Sequence, residues 1–587
     1  MKKKKWLETM DLVDEEYIVE ADPTKKNSAK KKLWIRWGAI AACLVLIVTA
    51  GGLWLLPALR QDINQDINNL QDPTNETDPL LQYQGSEYFE IIQKIEAYRI
   101  ERNKINANAV DGENIEDMVA TGTGGRYVSI TDYQVDGVLE ADLIKRSDEY
   151  AYHVNKNVFE IYSIDGEDSV LVGSYRYEPR WDDEYTTRFY LSQDCKTATL
   201  IYSLYHGGTM VLSLDLSNPT HINEIAMFEM SGRYQTSRMV EGSILVFTDT
   251  SIADHKIDYS KPYTFLPRIK PHGEWQNVSA EDIVCPQNIV STHYTTVVRL
   301  KEESLELQNI KSFLSYDEMY VSKDMIFMEI FYRKNKPQTT EIVGLNYRDG
   351  LEVCGRVSVE GFIKDQYSMD VYNGFLRTVT TTAESASLYC IDLSDWSVAA
   401  AVENFAPPGE SVRSVRFDGD YAYVCTSLQL IDPVFFFDLS DLSHITYKDT
   451  GTISGFSNSL VNFENGNLLG IGLNDRWAMK IEIYKEGEHD VESVCSYVRE
   501  SVEYSPSYKS YYIDRKNQLL GIGFYDNSKE NKEDQSRYLL LHFDGEKLNV
   551  LLDVPLKGSP QIKRGFYADG YFYMFGTSDF SVHKISV

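Results

Sequence analysis

Short turn motifs recur along this chain at a near-constant interval, and this period constrains the fold more than any other feature of the sequence. The motifs from the middle of the chain onward are Asn373-Gly374, Asp418-Gly419, Asn465-Gly466, Lys516-Asn517 and Asp569-Gly570. Their steps are 45, 47, 51 and 53 residues. The Asn-Gly and Asp-Gly pairs supply the positive φ that a tight β-hairpin needs. A period of about 50 residues in an all-β chain is typical of propeller blades.

Weaker turn positions upstream raise the number of candidate inner hairpins to nine; they lie near Asp148, Asp194, Gly242 and Asp324. The step of 82 residues between the last two predicts an insertion that contains Lys261–Trp275. The last unit, Gly565–Val587, is short, and propellers often close by pairing both chain ends within one blade. We therefore predict an all-β β-propeller of about eight blades, with seven or nine as alternatives.

One apolar segment predicts a membrane anchor. Residues 37–59 (WGAIAACLVLIVTAGGLWLLPAL) carry no charge and are long enough to cross the hydrocarbon core of a bilayer as a helix. Basic residues precede the segment, so the positive-inside rule places residues 1–36 in the cytoplasm and the rest outside the cell. A cleaved signal peptide is the alternative, but the apolar run is long and begins late for one.

The charge distribution excludes one class of partner. The chain has a formal net charge of −30, although residues 1–36 contain ten Lys or Arg and seven acidic residues. Such an acidic remainder argues against nucleic acid as a ligand. It fits a soluble surface exposed to an outside medium.

The order of segments predicts five regions. Residues 1–36 form a cytoplasmic basic tail, 37–59 a transmembrane helix that contacts the lipid bilayer, and 60–82 a flexible stalk. Residues 83–125 combine a linker with one amphipathic helix, predicted over Tyr88–Ile105 from apolar residues at helical spacing. Residues 126–587 form the exoplasmic propeller, which we expect to be monomeric.

Six cysteines lie outside the apolar segment: Cys195, Cys285, Cys354, Cys390, Cys425 and Cys495. An even number permits disulfides. Their spacings are wide, however, and no Cys-x-x-Cys motif occurs. We therefore expect these thiols to be free and buried.

Asp132–Asp165 (DYQVDGVLEADLIKRSDEYAYHVNKNVFEIYSID) resembles the opening of a family of bacterial membrane-anchored or secreted β-propeller proteins distantly related to WD-repeat proteins. The matching residues are Gln134, Gly137, Val138, Glu140, Ala141, Asp142, Lys145 and Asp148. Leu139 and Glu149 depart from the family pattern, which has an acid and a glycine there. A second match lies in Val415–Gly472. The resemblance implies a propeller fold and names no reaction.

The sequence contains none of the local motifs of common enzymes, such as nucleophile elbows, metal-binding helices or phosphate-binding loops. We therefore predict no catalytic, cofactor-binding or metal-binding residues and no cofactor, and the binding residues stay unknown. A cell-envelope hydrolase is the main alternative, because propeller glycosidases assemble isolated carboxylates around the axis. Glu140 and Asp142 are the first candidates for such a role.

Three further groups have both a functional and a structural interpretation. Acidic residues in Ser163–Ser169 (SIDGEDS) could bind calcium, although a plain turn also explains them. The tyrosine pairs Tyr421/Tyr423 and Tyr571/Tyr573 could form a ligand platform or pack within the sheets. Histidines in strand-like runs are expected to be structural; they are His153, His542 and His583.

These observations predict a membrane-anchored cell-surface β-propeller that binds an envelope protein or glycan, because propeller loops are rigidly displayed on two faces. A transmembrane sensor whose tail holds a cytoplasmic regulator is a third alternative. Its tail segment Asp14–Ala21 (DEEYIVEA) resembles tails of bacterial membrane proteins that include sigma-factor regulators.

Overall fold

The fold was analysed in a computed structural model of the full chain. The structure describes residues 80–106 and 134–587 apart from short internal gaps, which are 179–186, 254–255, 272, 317, 349, 428–430, 433, 450–452, 464–465, 487–490, 505–510, 558–563 and 577–579. The chain divides into two compact units, Met1–Gln84 and Gly85–Val587. In the first, the described part is a 3-10 turn at Leu81–Tyr83.

The second unit consists of one helix followed by successive β-sheets, which we number as blades 1 to 9 in chain order. The helix, α1, runs from Phe89 to Asn106. Blade 1 contains the strands Ile144–Arg146, Tyr150–Asn155, Val158–Ser163 and Leu171–Arg176. Blade 2 contains Arg188–Leu191, Thr197–Ser203, Gly208–Asp215 and Asn223–Ser231, extended at its outer edge by Arg268–Lys270 and Gln276–Asn277.

The middle blades follow the same antiparallel pattern. Blade 3 contains Leu139–Glu140, Arg233–Val240, Ser243–Ser251, His293–Lys301 and Leu307–Leu314, and Ile283–Val284 pairs in parallel with the last of these. Blade 4 contains Met319–Val321, Met325–Tyr332, Thr339–Asn346 and Glu352–Glu360. Blade 5 contains Phe362–Ile363, Met369–Tyr372, Phe375–Thr381, Ala386–Asp392 and Ser397–Val402.

The last blades complete the ring. Blade 6 contains Ser411–Asp418, Tyr421–Ser427, Val434–Asp438 and Thr446–Asp449, beside a small ladder of Ile431–Asp432 with Ile453–Ser454. Blade 7 contains Phe456–Asn462, Asn467–Leu473, Met479–Glu486 and Val491–Arg499. Blade 8 contains Val502–Tyr504, Tyr511–Asp514, Leu519–Asp526, Ser536–Phe543 and Leu548–Pro555, and blade 9 contains Arg564–Ala568, Tyr571–Phe575 and Phe580–Lys584.

Burial along the strands explains why these sequences form blades. Every residue of Thr197–Ser203 is buried, because both faces of an inner strand are covered by neighbouring blades. The outer strand Glu352–Glu360, in contrast, alternates between exposed and less exposed residues. This difference is the one expected between strands that are buried on both faces and strands at a solvated edge. The core therefore lies between blades rather than in one central cluster.

The described residues form nine blades, so the expectation of about eight is corrected to nine. All nine candidate turns lie in a hairpin between two strands that are consecutive in one blade, including Gly419 with φ of 54° and Gly570 with φ of 84°. The expected pairing of both chain ends within one blade is wrong for the described residues, since all three strands of blade 9 come from residues 564–584. The number of candidate turns in the sequence therefore equals the number of blades.

Side-chain packing closes the ring between blade 9 and blade 1. The rings of Phe580 and Tyr162 stack with their centroids 4.6 Å apart. The backbone N–H of Gly166 donates to the Tyr573 hydroxyl at 2.9 Å. One hydrophobic cluster contains buried residues of blades 1, 2, 8 and 9. This continuous apolar contact replaces the strand exchange that the sequence had suggested.

Helix α1 packs on the insertion of blade 3, which covers residues 252–292 between two of its strands. Ile91, Ile92 and Ile95 are buried, whereas Ile100 is 52% exposed although the sequence placed it on the apolar face. The Tyr88 hydroxyl donates to the Val278 carbonyl at 3.2 Å, and the Lys94 ammonium donates to the Pro286 carbonyl at 2.6 Å. The C-terminal half of the insertion is therefore fixed against this part of the chain.

Two other expectations, on the cysteines and on the membrane anchor, can be compared with the structure only in part. The described cysteines are free, but only Cys390 and Cys425 are buried, so the prediction of burial is wrong for the other four. The predicted anchor, residues 37–59, lies outside the described residues. Among the residues that are described, none of the helices is long and apolar enough to span a bilayer.

Candidate binding pocket

A cavity of about 400 Å³ lies where loops of blades 2 and 3 meet the insertion. Its walls come from the second turn of blade 2, from the connection into blade 3 and from the insertion; they include His206, Ser231, Arg233, Asp249, Thr250, Tyr263, Phe265, Arg268 and Trp275. A cavity of this size is within the range of ligand pockets in proteins.

The strand Arg268–Lys270 carries two cations on one side, and of these two Arg268 lines the cavity. Side chains alternate along a strand, so Arg268 and Lys270 share one side while Ile269 is buried on the other. The strand is held by pairing of Ile269 with Met230 on one side and with Gln276 on the other. The backbone N–H of Arg268 also donates to the Ser231 hydroxyl at 2.7 Å.

Aromatic rings flank the Arg268 guanidinium. Its central carbon lies 4.7 Å from the ring centroid of Trp275 and 5.8 Å from that of Tyr263. The Lys270 ammonium lies 5.7 Å from the Trp275 ring. Cations over aromatic faces are stabilised by the ring quadrupole, so the rings hold Arg268 in place without neutralising it.

Arg268 differs from the other charged residues of the pocket in having no ionic partner. The Lys270 ammonium lies 2.7 Å from a Glu229 carboxylate oxygen, and His206 Nε2 lies 3.4 Å from the other oxygen of that carboxylate. Arg233 lies 4.0 Å from Asp249. Among the described residues, the Arg268 guanidinium has neither a hydrogen bond nor an ion pair to the protein, and its donors stay available.

A second unpaired polar group lies in the same wall. The Thr250 hydroxyl oxygen is buried and has no hydrogen-bond partner among the described residues. Buried polar atoms are normally hydrogen-bonded, so this hydroxyl is an exception in the wall of the cavity. Tyr263 adds an apolar surface, because it is 54% exposed at the cavity. The pocket therefore combines a free cation, an unpaired hydroxyl and an exposed ring.

Phe265 connects the pocket to helix α1. It lines the cavity, is 2% exposed, and packs edge-on against Tyr259 and Tyr88 with centroids 5.3 Å and 6.4 Å away. The Tyr259 hydroxyl donates to a Glu96 carboxylate oxygen of the helix at 2.6 Å. Burial, together with Glu96, raises the pKa of Tyr259, so this hydroxyl stays protonated as a donor.

The carboxylates proposed for a hydrolase are buried and paired with arginines. The Arg238 guanidinium lies 3.1 Å from Glu140, and Arg564 donates to both oxygens of Asp142 at 2.9 Å. All four residues are at most 3% exposed. A general acid or base must reach the substrate, so these carboxylates lack the access that the hydrolase alternative requires.

Glu140 and Asp142 belong to the segment that resembles the start of the propeller family, and this segment contacts several blades. Leu139–Glu140 pairs with the inner strand of blade 3, and Asp142 forms a bridge to Phe189 in the inner strand of blade 2. The Gln134 amide donates to the Gln366 and Met369 carbonyls of blade 5. A segment that reaches the inner strands of blades 2, 3, 5 and 9 crosses the centre of the ring. Its matching residues therefore join the blades there.

The other candidates from the sequence lie outside the pocket. The acidic segment forms an exposed 3-10 turn at Gly166–Asp168, and the described residues contain no group of three or more potential metal ligands. Tyr421 and Tyr423 both pack on Phe436, and Tyr573 is buried at the ring closure. Neither tyrosine pair lines the pocket.

The predicted structural histidines fit their surroundings. His153 is buried with its Nδ1 3.4 Å from a Glu160 oxygen. Burial lowers the pKa of His583, whose Nε2 lies 3.2 Å from the Ser581 hydroxyl. His542 is partly exposed on a strand of blade 8.

A second cavity, of about 450 Å³, is acidic. It lies among hairpin turns of blades 2 and 3, at the strand ends opposite to those that carry the first cavity. Its lining includes Asp194, Glu241, Glu302 and Glu303. Burial, Glu303 and Asp194 together raise the pKa of Glu302. Like charges that repel one another do not by themselves define a site.

Comparison with known proteins agrees with this architecture. The family described as Beta propeller domain matches residues 128–586. The chain belongs to this family. Members of a propeller family are, in general, binding or interaction modules, which is the level of function that the family assignment supports.

Two relatives come from archaea, so a bacterial family, as the resemblance suggested, is not supported. The uncharacterized protein MJ1554 of Methanocaldococcus jannaschii is 26% identical over 245 residues, which is 40% of this chain and 37% of that protein. An uncharacterized protein of Archaeoglobus fulgidus is 26% identical over 285 residues, 47% of this chain and 43% of that protein. The chain thus spans less than half the length of either relative.

Matches to solved structures are remote. Hsv2 of Kluyvelomyces marxianus has 12% identity and a TM-score of 0.30 over 63% of this chain and 97% of that one. The acylaminoacyl peptidase of Pyrococcus horikoshii has 8% identity and a TM-score of 0.30 over 60% of this chain and 52% of that one. Such scores add nothing to the family assignment.

Proposed function

We propose that this protein is a membrane-anchored cell-surface β-propeller that binds an envelope protein or glycan in the pocket between blades 2 and 3. The observation that carries the proposal is the free guanidinium of Arg268, held between the rings of Trp275 and Tyr263 at a cavity of about 400 Å³. Arg268 is only partly buried, so its donors are open to a ligand that enters the cavity. The uncharged segment 37–59 supports the anchor.

The membrane arrangement is tested with intact cells. Protease added from outside should digest the chain beyond about residue 60 and spare an epitope placed at Lys2–Lys5, because the basic tail stays inside. The control is the same treatment after the cells are made permeable, which should remove the epitope. Loss of the epitope in sealed cells would contradict the orientation.

The binding function is tested by crosslinking the full-length chain to its native envelope. We expect envelope material attached to the wild-type chain to fall strongly in the Arg268→Gln, Trp275→Ala double variant. A matched control is Arg476→Gln, Trp477→Ala, since both residues are exposed on a turn of blade 7. Equal attachment in the two double variants would show that the pocket is not the binding site.

A sensor is the second candidate, and the position of Phe265 favours it. This residue touches both the cavity and the helix that follows the stalk in sequence. A ligand that shifts Phe265 would alter the contact between the insertion and α1. Deletion of residues 2–36 should then abolish a cytoplasmic response while leaving envelope attachment unchanged; a response that survives the deletion would exclude the sensor.

A further inference from the structure

The pocket also indicates the chemical class of its ligand, and this inference rests on the proposed binding function. We propose that the ligand is an anionic saccharide whose carboxylate or phosphate group pairs with Arg268 while the sugar ring packs on Tyr263. Both features lie in one wall, because the Arg268 guanidinium is 5.8 Å from the Tyr263 ring. The exposed ring is an amphipathic surface of the kind that packs well in binding sites.

The charged residues of the cavity favour an anionic ligand. Arg268 has unfilled donors in a planar fork, which matches the two oxygens of a carboxylate or phosphate. The neighbouring acids Glu229 and Asp249 already face Lys270 and Arg233. Of the residues that line the cavity, Arg233 and Arg268 carry positive charge and Asp249 carries negative charge, within a chain whose net charge is −30. A cationic ligand would have to displace these existing pairs.

The shape of the surrounding sheet favours a saccharide over a peptide. A peptide that adds to a sheet needs an unpaired edge of several residues, because its affinity comes from main-chain hydrogen bonds. The sheet edge beside the cavity is Gln276–Asn277, only two residues long. Side chains such as Arg268 and Tyr263 line the cavity instead, and a few such contacts fix the orientation of a small ring.

The test is a titration of the full-length protein in detergent with three soluble probes. These are alginate oligosaccharides as carboxylated sugars, dextran oligosaccharides of equal length as neutral sugars, and oligoglutamate as an acidic peptide. Glucose 6-phosphate, compared with glucose, separates phosphate from carboxylate as the anionic group. Short probes are chosen because a long polyanion would also be repelled by the acidic surface.

We expect an anionic sugar, alginate or glucose 6-phosphate, to bind at least ten times more tightly than its neutral counterpart. Arg268→Gln should weaken this binding by roughly tenfold to a hundredfold, as loss of a charge-assisted hydrogen bond does. Tyr263→Ala should weaken alginate binding while leaving any binding of oligoglutamate unchanged. Arg476→Gln and Trp477→Ala are the matched controls, and both should bind as the wild type does.

Other results overturn the proposal. Equal affinity for charged and neutral sugars would remove the role of Arg268, and tighter binding of oligoglutamate would identify the site as a peptide site. Absence of binding to all of these probes would reject the saccharide class. If envelope attachment still depended on Arg268 in that case, only the ligand class would fall and the proposed binding function would stand. Melting curves of each variant separate lost binding from lost folding.

Discussion

The ion pair between Arg564 and Asp142 provides the sharpest test of how the ring is held together. Arg564→Met removes a guanidinium that donates to both Asp142 oxygens at 2.9 Å each, and leaves that carboxylate buried at 1% exposure. Breaking a buried pair by removing one partner costs about 3–5 kcal/mol. We therefore expect the unfolding equilibrium constant to rise by roughly two to four orders of magnitude, since each 1.4 kcal/mol is about tenfold.

The measurement is urea unfolding of the second unit, followed by tryptophan fluorescence. Replacing both partners, Asp142→Leu with Arg564→Met, should cost less than the single change, because the buried carboxylate is then removed together with the guanidinium that pairs with it. Arg476→Gln is the surface control and should leave the midpoint unchanged, as its pair with Glu500 is exposed. A single variant as stable as the wild type, or a double variant less stable than both singles combined, would refute the reasoning.

Two further predictions concern local features. Gly419→Val should lower the melting temperature, because Gly419 has φ of 54° and a β-branched residue there is strained by about 1–2 kcal/mol. The control is Gly85→Val, because Gly85 lies in open space and has no positive φ. Equal effects of the two changes would show that the turn is misread. Glu302→Gln should stabilise the protein at pH 8 and not at pH 3.5. The folded state raises the pKa of Glu302, so the stability that the protonated carboxyl contributes is lost as pH rises through that pKa, whereas the neutral Gln side chain does not ionise. Thermal melts at both pH values check this, and stabilisation at pH 3.5 alone would contradict the predicted direction of the effect.

Turn chemistry explains why the propeller could be predicted from the sequence. Asn373-Gly374 and Asp569-Gly570 adopt positive φ at both positions, as their residue types indicate. The ring closure could not be predicted in the same way. It depends on contacts such as that of Tyr573 with Gly166. These residues are 407 positions apart, so the local sequence does not indicate the contact. The expectation of eight blades followed from assuming strand exchange at that closure.

The candidate site was only partly visible in the sequence. The insertion around Lys261–Trp275 could be located from the long step between turns, and its aromatic and basic residues are a usable signal in an acidic chain. What the insertion faces could not be inferred, because the pocket is completed by His206 and Arg233 from other loops. Likewise, Asp142 could be recognised as part of a motif, but its partner Arg564 lies 422 positions away.

A photo-crosslinking measurement in living cells tests the central claim, that the pocket between blades 2 and 3 holds the envelope ligand. Tyr263→p-benzoylphenylalanine places a photoreactive ring at the cavity, and Tyr447→p-benzoylphenylalanine places one on the outer strand of blade 6, where Tyr447 is 45% exposed. After illumination we predict a shifted, envelope-derived adduct at position 263, reduced by Arg268→Gln, and little at position 447. Adducts of equal intensity at both positions, or one that is insensitive to Arg268→Gln, would contradict the claim.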